Sequence, residues 1–217
     1  MENGGSVSMF QRLIEGRLLI VIRGLDTGRS IDLCGLLYDA GVFFVEVSFS
    51  DRWADESLKE LKKHFGDRLF LGAGTIFNAD DYSRALRAGA DYILSPGFSY
   101  EIAALSLKDG IPYIPGVYTS TEIQMALNMG FTLLKLFPGE LEGLRLLKAY
   151  RGPFPQARFM PFGGVTPENA AAFIEEGAAA LGVGSYIASP ELLQERKYGE
   201  ISERISRMKI AAGIIDD

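Results

Sequence analysis

Short apolar runs alternate with segments of helical spacing along this chain, eight times over, with no linker, charge block or low-complexity stretch between them. The runs fall at residues 18–22 (LLIVI), 42–49 (VFFVEVSF), 69–71, 92–94, 113–114, 133–137, 158–162 and 180–183. Most end at a glycine or proline, and runs this short and this apolar read as strands buried on both faces. Between them lie helical patterns such as Ile31, Leu33, Leu36 and Leu37, or Leu58, Leu61 and Phe65, the first of them stopped by Gly41. Strands that alternate with helices require crossover connections and a parallel sheet. Eight such units predict an α/β chain closed into a (β/α)8 TIM barrel, one domain over residues 1–217. Val7, Phe10, Leu13 and Ile14 predict an extra helix over 6–16 in front of it, after a loose tail at 1–5. An open doubly wound sheet would more usually carry five or six strands and a GxGxxG turn after the first, and none follows LLIVI. Residues 190–215 read as mostly one terminal amphipathic helix, and Asn78 or Asp80 as the cap of the helix before Gly89.

Composition bounds the partners. A net charge of -6 argues against nucleic acid or an anionic membrane, while leaving a locally built anion site possible. One cysteine, Cys34, excludes an internal disulfide and suits a reducing compartment. The first residues show no basic and apolar leader pattern, and no apolar run approaches a membrane span. The expectation is a cytoplasmic protein.

Two strand runs each carry a single charge, Glu46 in VFFVEVSF and Lys135 in the 131–140 stretch FTLLKLFPGE. A lysine inside a buried strand loses hydration, which lowers its pKa and favours the neutral amine that attacks a carbonyl to form a Schiff base. The plainer reading is a strand-end lysine whose stem is buried and whose head reaches water. In a barrel both charges point to the mouth at the C-terminal ends of the strands, where a structural ion pair is the alternative to catalysis. Arg23, Thr75, Pro96 and Gly116 fall at neighbouring strand ends, about one unit apart. Gly163-Gly164 and Gly184-Ser185 end the last two strands, the usual phosphate position of this fold, although glycines also serve plain turns. His64, the only histidine, sits on a polar helix and reads as a surface residue, so histidine chemistry and a metal site are not expected.

The set VEVSF, GAGT, SPG, IPGV, LKLFPGE, FGGVTPEN and VGSY resembles the class I aldolases that split 2-keto-3-deoxy-6-phosphogluconate and 4-hydroxy-2-oxoglutarate. The resemblance runs in order from the first strand to the last. It implies that Lys135 forms the Schiff base, that Glu46 is the acid/base acting through water, and that Thr75 helps to hold the substrate carboxylate. It places Pro96 and Phe137 in the pocket wall and Gly163, Gly164, Gly184 and Ser185 at a phosphate. It further implies a homotrimer, a small-molecule 2-keto acid substrate and no metal or cofactor. Two positions depart from the pattern. Ser50 stands where many members carry an arginine, which leaves Arg23, or less favourably Arg52, to meet the carboxylate. Phe162 stands where the family usually has threonine, so a substrate-facing hydroxyl is replaced by a bulky ring. The competing functions are a phosphate-binding barrel isomerase or epimerase, with Lys135 a free cation, and a non-catalytic phosphosugar binder.

Overall fold

The computed structural model describes residues 8–214. The expected tail at 1–5, the first two residues of the expected leading helix and Ile215 lie outside them. The chain forms an α/β fold whose strands are all parallel and curl around a common inner face. In order, the strands are β1 (Leu18–Ile22), β2 (Phe44–Ser48), β3 (Phe70–Gly74), β4 (Tyr92–Leu94), β5 (Tyr113–Ile114), β6 (Gly116–Val117), β7 (Leu133–Leu136), β8 (Arg158–Pro161) and β9 (Leu181–Val183). The helices are α1 (Met9–Gly16), α2 (Thr27–Asp39), α3 (Ala54–Phe65), α4 (Ala79–Arg87), α5 (Tyr100–Asp109), α6 (Ser120–Asn128), α7 (Gly139–Arg151), α8 (Pro167–Glu175), α9 (Pro190–Gln194) and α10 (Tyr198–Ala211).

Hydrogen bonding divides the strands into a six-stranded sheet, β5-β4-β3-β2-β1-β9, and a three-stranded sheet, β6-β7-β8. Pro115 causes the first division. It has no N–H to give to a ladder, so the fifth apolar run is cut into β5 and β6, while its carbonyl still accepts from Lys135 N at 2.9 Å. Across the other gap, Phe162 and Gly182 form an isolated parallel bridge and Ala179 N donates to Phe159 O at 2.8 Å.

The period of two along each strand sorts its side chains between two cores. Leu18, Ile20, Ile22, Val45, Val47, Leu134 and Leu136 pack outward into the large cluster they share with the helices. Leu19, Val21, Phe44, Leu133, Met160 and Phe162 point into a smaller inner cluster. Leu13 of α1 is fully buried in that inner cluster against residues at the starts of the strands. The leading helix therefore closes the end away from the strand C-termini. Glu46 and Lys135 have the parity of the inner set, two residues beyond Phe44 and Leu133.

Caps set the helix boundaries. Asn78, not Asp80, caps α4, accepting from Asp81 N at 2.9 Å. Thr119 and Glu122 form a capping box on α6. The expected single helix over 190–215 is two: Ser189 caps α9, and Arg196, at φ +53, breaks the chain before α10. After the Lys135 strand, α7 begins at Gly139 and kinks at Glu142. Among the described residues no helix is long and apolar enough to cross a membrane.

Candidate active site

Lys135 and Glu46 meet on the inner face, with Lys135 Nζ 3.7 Å from Glu46 Oε2. Glu46 is fully buried and Lys135 is 5% exposed. Burial lowers the Lys135 pKa from the ordinary lysine value; Arg23 adds to the lowering, and Glu46 opposes it. Neither carboxylate oxygen of Glu46 has a hydrogen-bond partner among the described residues. A pair kept for stability would satisfy those lone pairs, because an unbonded buried carboxylate is costly. The arrangement therefore favours chemistry over a structural ion pair. Gly74 makes room for it: a Cβ there would overlap the Glu46 carboxylate.

Two rings flank the amine. Lys135 Nζ lies 4.3 Å from the Phe162 ring centroid and 5.5 Å from that of Phe137. Phe162 is 3% exposed and lies flat against Gly182, where any side chain would collide with the ring. The ring thus fills space that Gly182 leaves open, beside the nucleophile.

Above the pair opens a cavity of about 720 Å³. It brings together Arg23, Lys135, Phe137 and Phe162 with both glycine turns, Gly163-Gly164 and Gly184-Ser185. Arg23 is exposed there and makes no hydrogen bond or ion pair among the described residues. Gly163 and Gly164 both take positive φ, +89° and +66°, which their lack of a side chain allows. Thr166 and Tyr186 also line this cavity; they lie within FGGVTPEN and VGSY, but the sequence pattern gives neither a role.

Thr75 and Pro96 stand apart from that cavity wall. Thr75 follows β3 in a left-handed conformation, φ +62°, and its hydroxyl is 3.0 Å from Ser48 Oγ. The Pro96 carbonyl packs so closely on Gly116 that a Cβ there would overlap it. Arg52 lies over the Trp53 ring at 4.4 Å and does not line the cavity, which leaves Arg23 as the cation beside Lys135. His64 is exposed, and Cys34 is buried with its thiol pKa pushed up by desolvation, so neither enters the site. Among the described residues no cluster of three or more His, Cys, Asp or Glu side chains is placed to hold a metal ion.

A 2-dehydro-3-deoxy-6-phosphogalactonate aldolase of Escherichia coli is 31% identical to this chain over 169 residues, 77% of this chain and 82% of its own. A 2-dehydro-3-deoxy-phosphogluconate aldolase of Treponema pallidum is 29% identical, covering 90% of this chain and 93% of its own. The crystal structure of the KDPG aldolase of Legionella pneumophila, with pyruvate captured as a covalent carbinolamine, superposes with a TM-score of 0.83 at 28% identity. That match covers 95% of this chain and 98% of the other. A family model described as KDPG and KHG aldolase matches residues 9–204. With that span matched and the amine, the carboxylate and the glycine turns in place, the chain belongs to the KDPG and KHG aldolase family.

Proposed function

We propose that this chain is a class I aldolase, a carbon–carbon lyase that releases pyruvate from a 2-keto-3-deoxy-6-phospho sugar acid or from 4-hydroxy-2-oxoglutarate. The observation that carries this reading is the buried Lys135 amine, its pKa lowered by desolvation, 3.7 Å from an otherwise unpartnered Glu46. Neutral Lys135 Nζ adds to the C2 carbonyl, and the carbinolamine takes up a proton from water as it dehydrates, leaving a protonated imine. Glu46 takes the proton of the C4 hydroxyl, and the C3–C4 electron pair moves toward the imine nitrogen. The aldehyde leaves, glyceraldehyde 3-phosphate or glyoxylate according to substrate. The enamine left behind takes a proton at C3, and water then frees pyruvate and the amine. An isomerase reading would need Lys135 as a persistent cation, which its burial disfavours. Borohydride added with pyruvate tests the proposal: a pyruvate adduct reduced onto Lys135 is expected, and an unmodified Lys135 removes the aldolase reading.

In this reading Arg23 and Thr75 grip the substrate carboxylate, with Phe137 in the cavity wall and Pro96 behind it, packed on Gly116, the register partner of Lys135. Gly163, Gly164, Gly184 and Ser185 take the distal phosphate. The two sheets complete one eight-stranded barrel in which β5 and β6 count as a single strand, and residues 1–217 form one domain. The protein works in the cytoplasm without metal or organic cofactor and binds neither nucleic acid nor membrane. It assembles as a homotrimer, as the family resemblance implies; Phe77 and Tyr100, 62% and 67% exposed, offer apolar surface for such contacts. Sedimentation at anything but three chain masses would remove that assignment.

Phe162 adjusts the substrate choice. A threonine hydroxyl in its place would bond a substrate hydroxyl for about 0.5–1.5 kcal/mol net, and the ring both forgoes this and narrows the way from Lys135 to Gly163-Gly164. A smaller or less hydroxylated 2-keto acid is therefore preferred over the six-carbon gluconate phosphate. Phe162→Thr is expected to raise kcat/KM for the gluconate phosphate roughly tenfold, one hydrogen bond's worth. Pyruvate trapping on Lys135 should persist, since the substitution leaves the amine itself in place. Efficient cleavage by the wild type with no gain in the variant would show that the ring does not limit substrate.

A further inference from the structure

The turn after β2 carries one cation, Arg52, which lies over the Trp53 ring and away from the cavity, and the turn is tied to both neighbouring strand ends. Toward β3, Phe49 N donates to Gly74 O at 2.8 Å, and Ser48 Oγ lies 3.0 Å from Thr75 Oγ1. Ser48 is fully buried, and Ser50 Oγ completes the row of hydroxyls 2.8 Å away. Toward β1, the Asp51 carboxylate accepts from Gly24 N at 2.5 Å, across 27 residues of sequence. Gly24 follows Arg23 directly and takes φ +72°. The turn itself is closed by Asp51 N donating to Ser48 O and Ala54 N to Asp51 O, at 3.3 and 3.2 Å.

One tie acts on Thr75, the residue after the glycine that packs on the Glu46 carboxylate, and the other on the loop that carries Arg23 into the cavity. A hydroxyl has one proton to give and lone pairs to receive with, so a donor at Ser48 leaves the Thr75 proton free for an anion. The backbone conformation of Thr75 is costly for a residue with a branched side chain and persists only where its surroundings hold it. Arg23 is a long, otherwise unpartnered side chain, and its direction is governed by the loop from which it springs. Holding that loop lowers the ordering cost at the moment an anion binds.

We propose that the Ser48–Asp51 turn is a bracket that sets Thr75 on one side and Arg23 on the other to grip the carboxylate of the keto acid, with Ser48 and Asp51 as its positioning residues. The inference rests on the aldolase reading. It explains how a chain with Ser50 where the family pattern has an arginine still presents a charged and a neutral donor to one carboxylate.

The test is steady-state cleavage of 2-keto-3-deoxy-6-phosphogluconate together with half-saturation by pyruvate in borohydride trapping. Ser48→Ala and Asp51→Ala should each raise KM and the pyruvate half-saturation about tenfold, with kcat within about twofold, the pattern of lost uniform binding. Ser48→Thr and Asp51→Asn keep the hydroxyl and an accepting oxygen and should return both values to within about twofold of wild type. A merely structural role would lower the folded fraction and the apparent kcat and leave KM in place. Unchanged KM in both alanine variants would overturn the bracket, as would Asp51→Asn behaving like Asp51→Ala. Asp51 lies at a partly exposed turn, so its variants decide the matter if Ser48→Ala folds poorly. Failure of the aldolase reading itself shows earlier and differently, as a wild type that takes up no pyruvate on Lys135 at all.

Discussion

Lys135→Arg is expected to abolish cleavage by several orders of magnitude while leaving the fold in place. Each factor of ten corresponds to about 1.4 kcal/mol of barrier, so a loss of this size reports a missing covalent step rather than a weakened contact. Arginine keeps a positive charge near Glu46 but its guanidinium cannot form an imine, which separates covalent from electrostatic roles. Lys135→Ala should match it in activity, and both should lose borohydride trapping entirely. Near-normal turnover in the arginine variant would sink the mechanism. The wild-type pH dependence carries a second signature. Burial lowers the Lys135 pKa, and imine formation needs the free amine, so trapping rises with pH through that lowered value and levels off above it. Its acid limb therefore lies below that of an exposed lysine. A trapping rate still climbing at the pH where ordinary lysines titrate would contradict a desolvated amine.

Much of this site was legible because strands obey a period of two. Phe44, Glu46 and Ser48 must share a face, as must Leu133, Lys135 and Phe137, so two lone charges in apolar strands declare an inner mouth. The glycine turns were readable for the same reason, each ending a run that the alternation had already placed. What escaped was set by contacts between distant segments. Pro115 was visible as a break, but its splitting of the fifth run depends on which neighbour needs the missing N–H. Arg196 has no composition that marks a left-handed residue, so the division of α9 from α10 could not be read from periodicity. Asp51 reaches Gly24 only because β1 and β2 are adjacent in register, Ile22 beside Val47. Phe162 was recognisable as a departure, whereas its seat on Gly182 and its 4.3 Å approach to the amine needed the packed inner face.

Glu46→Gln should slow cleavage about 10²–10⁴-fold, the ordinary worth of a positioned acid/base group. The amide keeps the shape of the side chain in the space that Gly74 leaves, so packing alone does not account for a loss of this size. Trapping should respond differently. Glu46 is the charge that opposes the fall in the Lys135 pKa, and its removal lets that pKa fall further. The free amine then persists to lower pH, so the acid limb of pyruvate trapping moves down while cleavage collapses. A buried ion pair cut on one side usually costs several kcal/mol, but here the surviving lysine can shed its proton and escape as a neutral group, which limits the damage to stability. Thermal unfolding of the variant should therefore show a folded protein. The two measurements together distinguish the roles: a proton carrier loses cleavage and shifts the trapping profile, whereas a purely structural Glu46 would leave full activity and an unchanged pH profile in the glutamine variant.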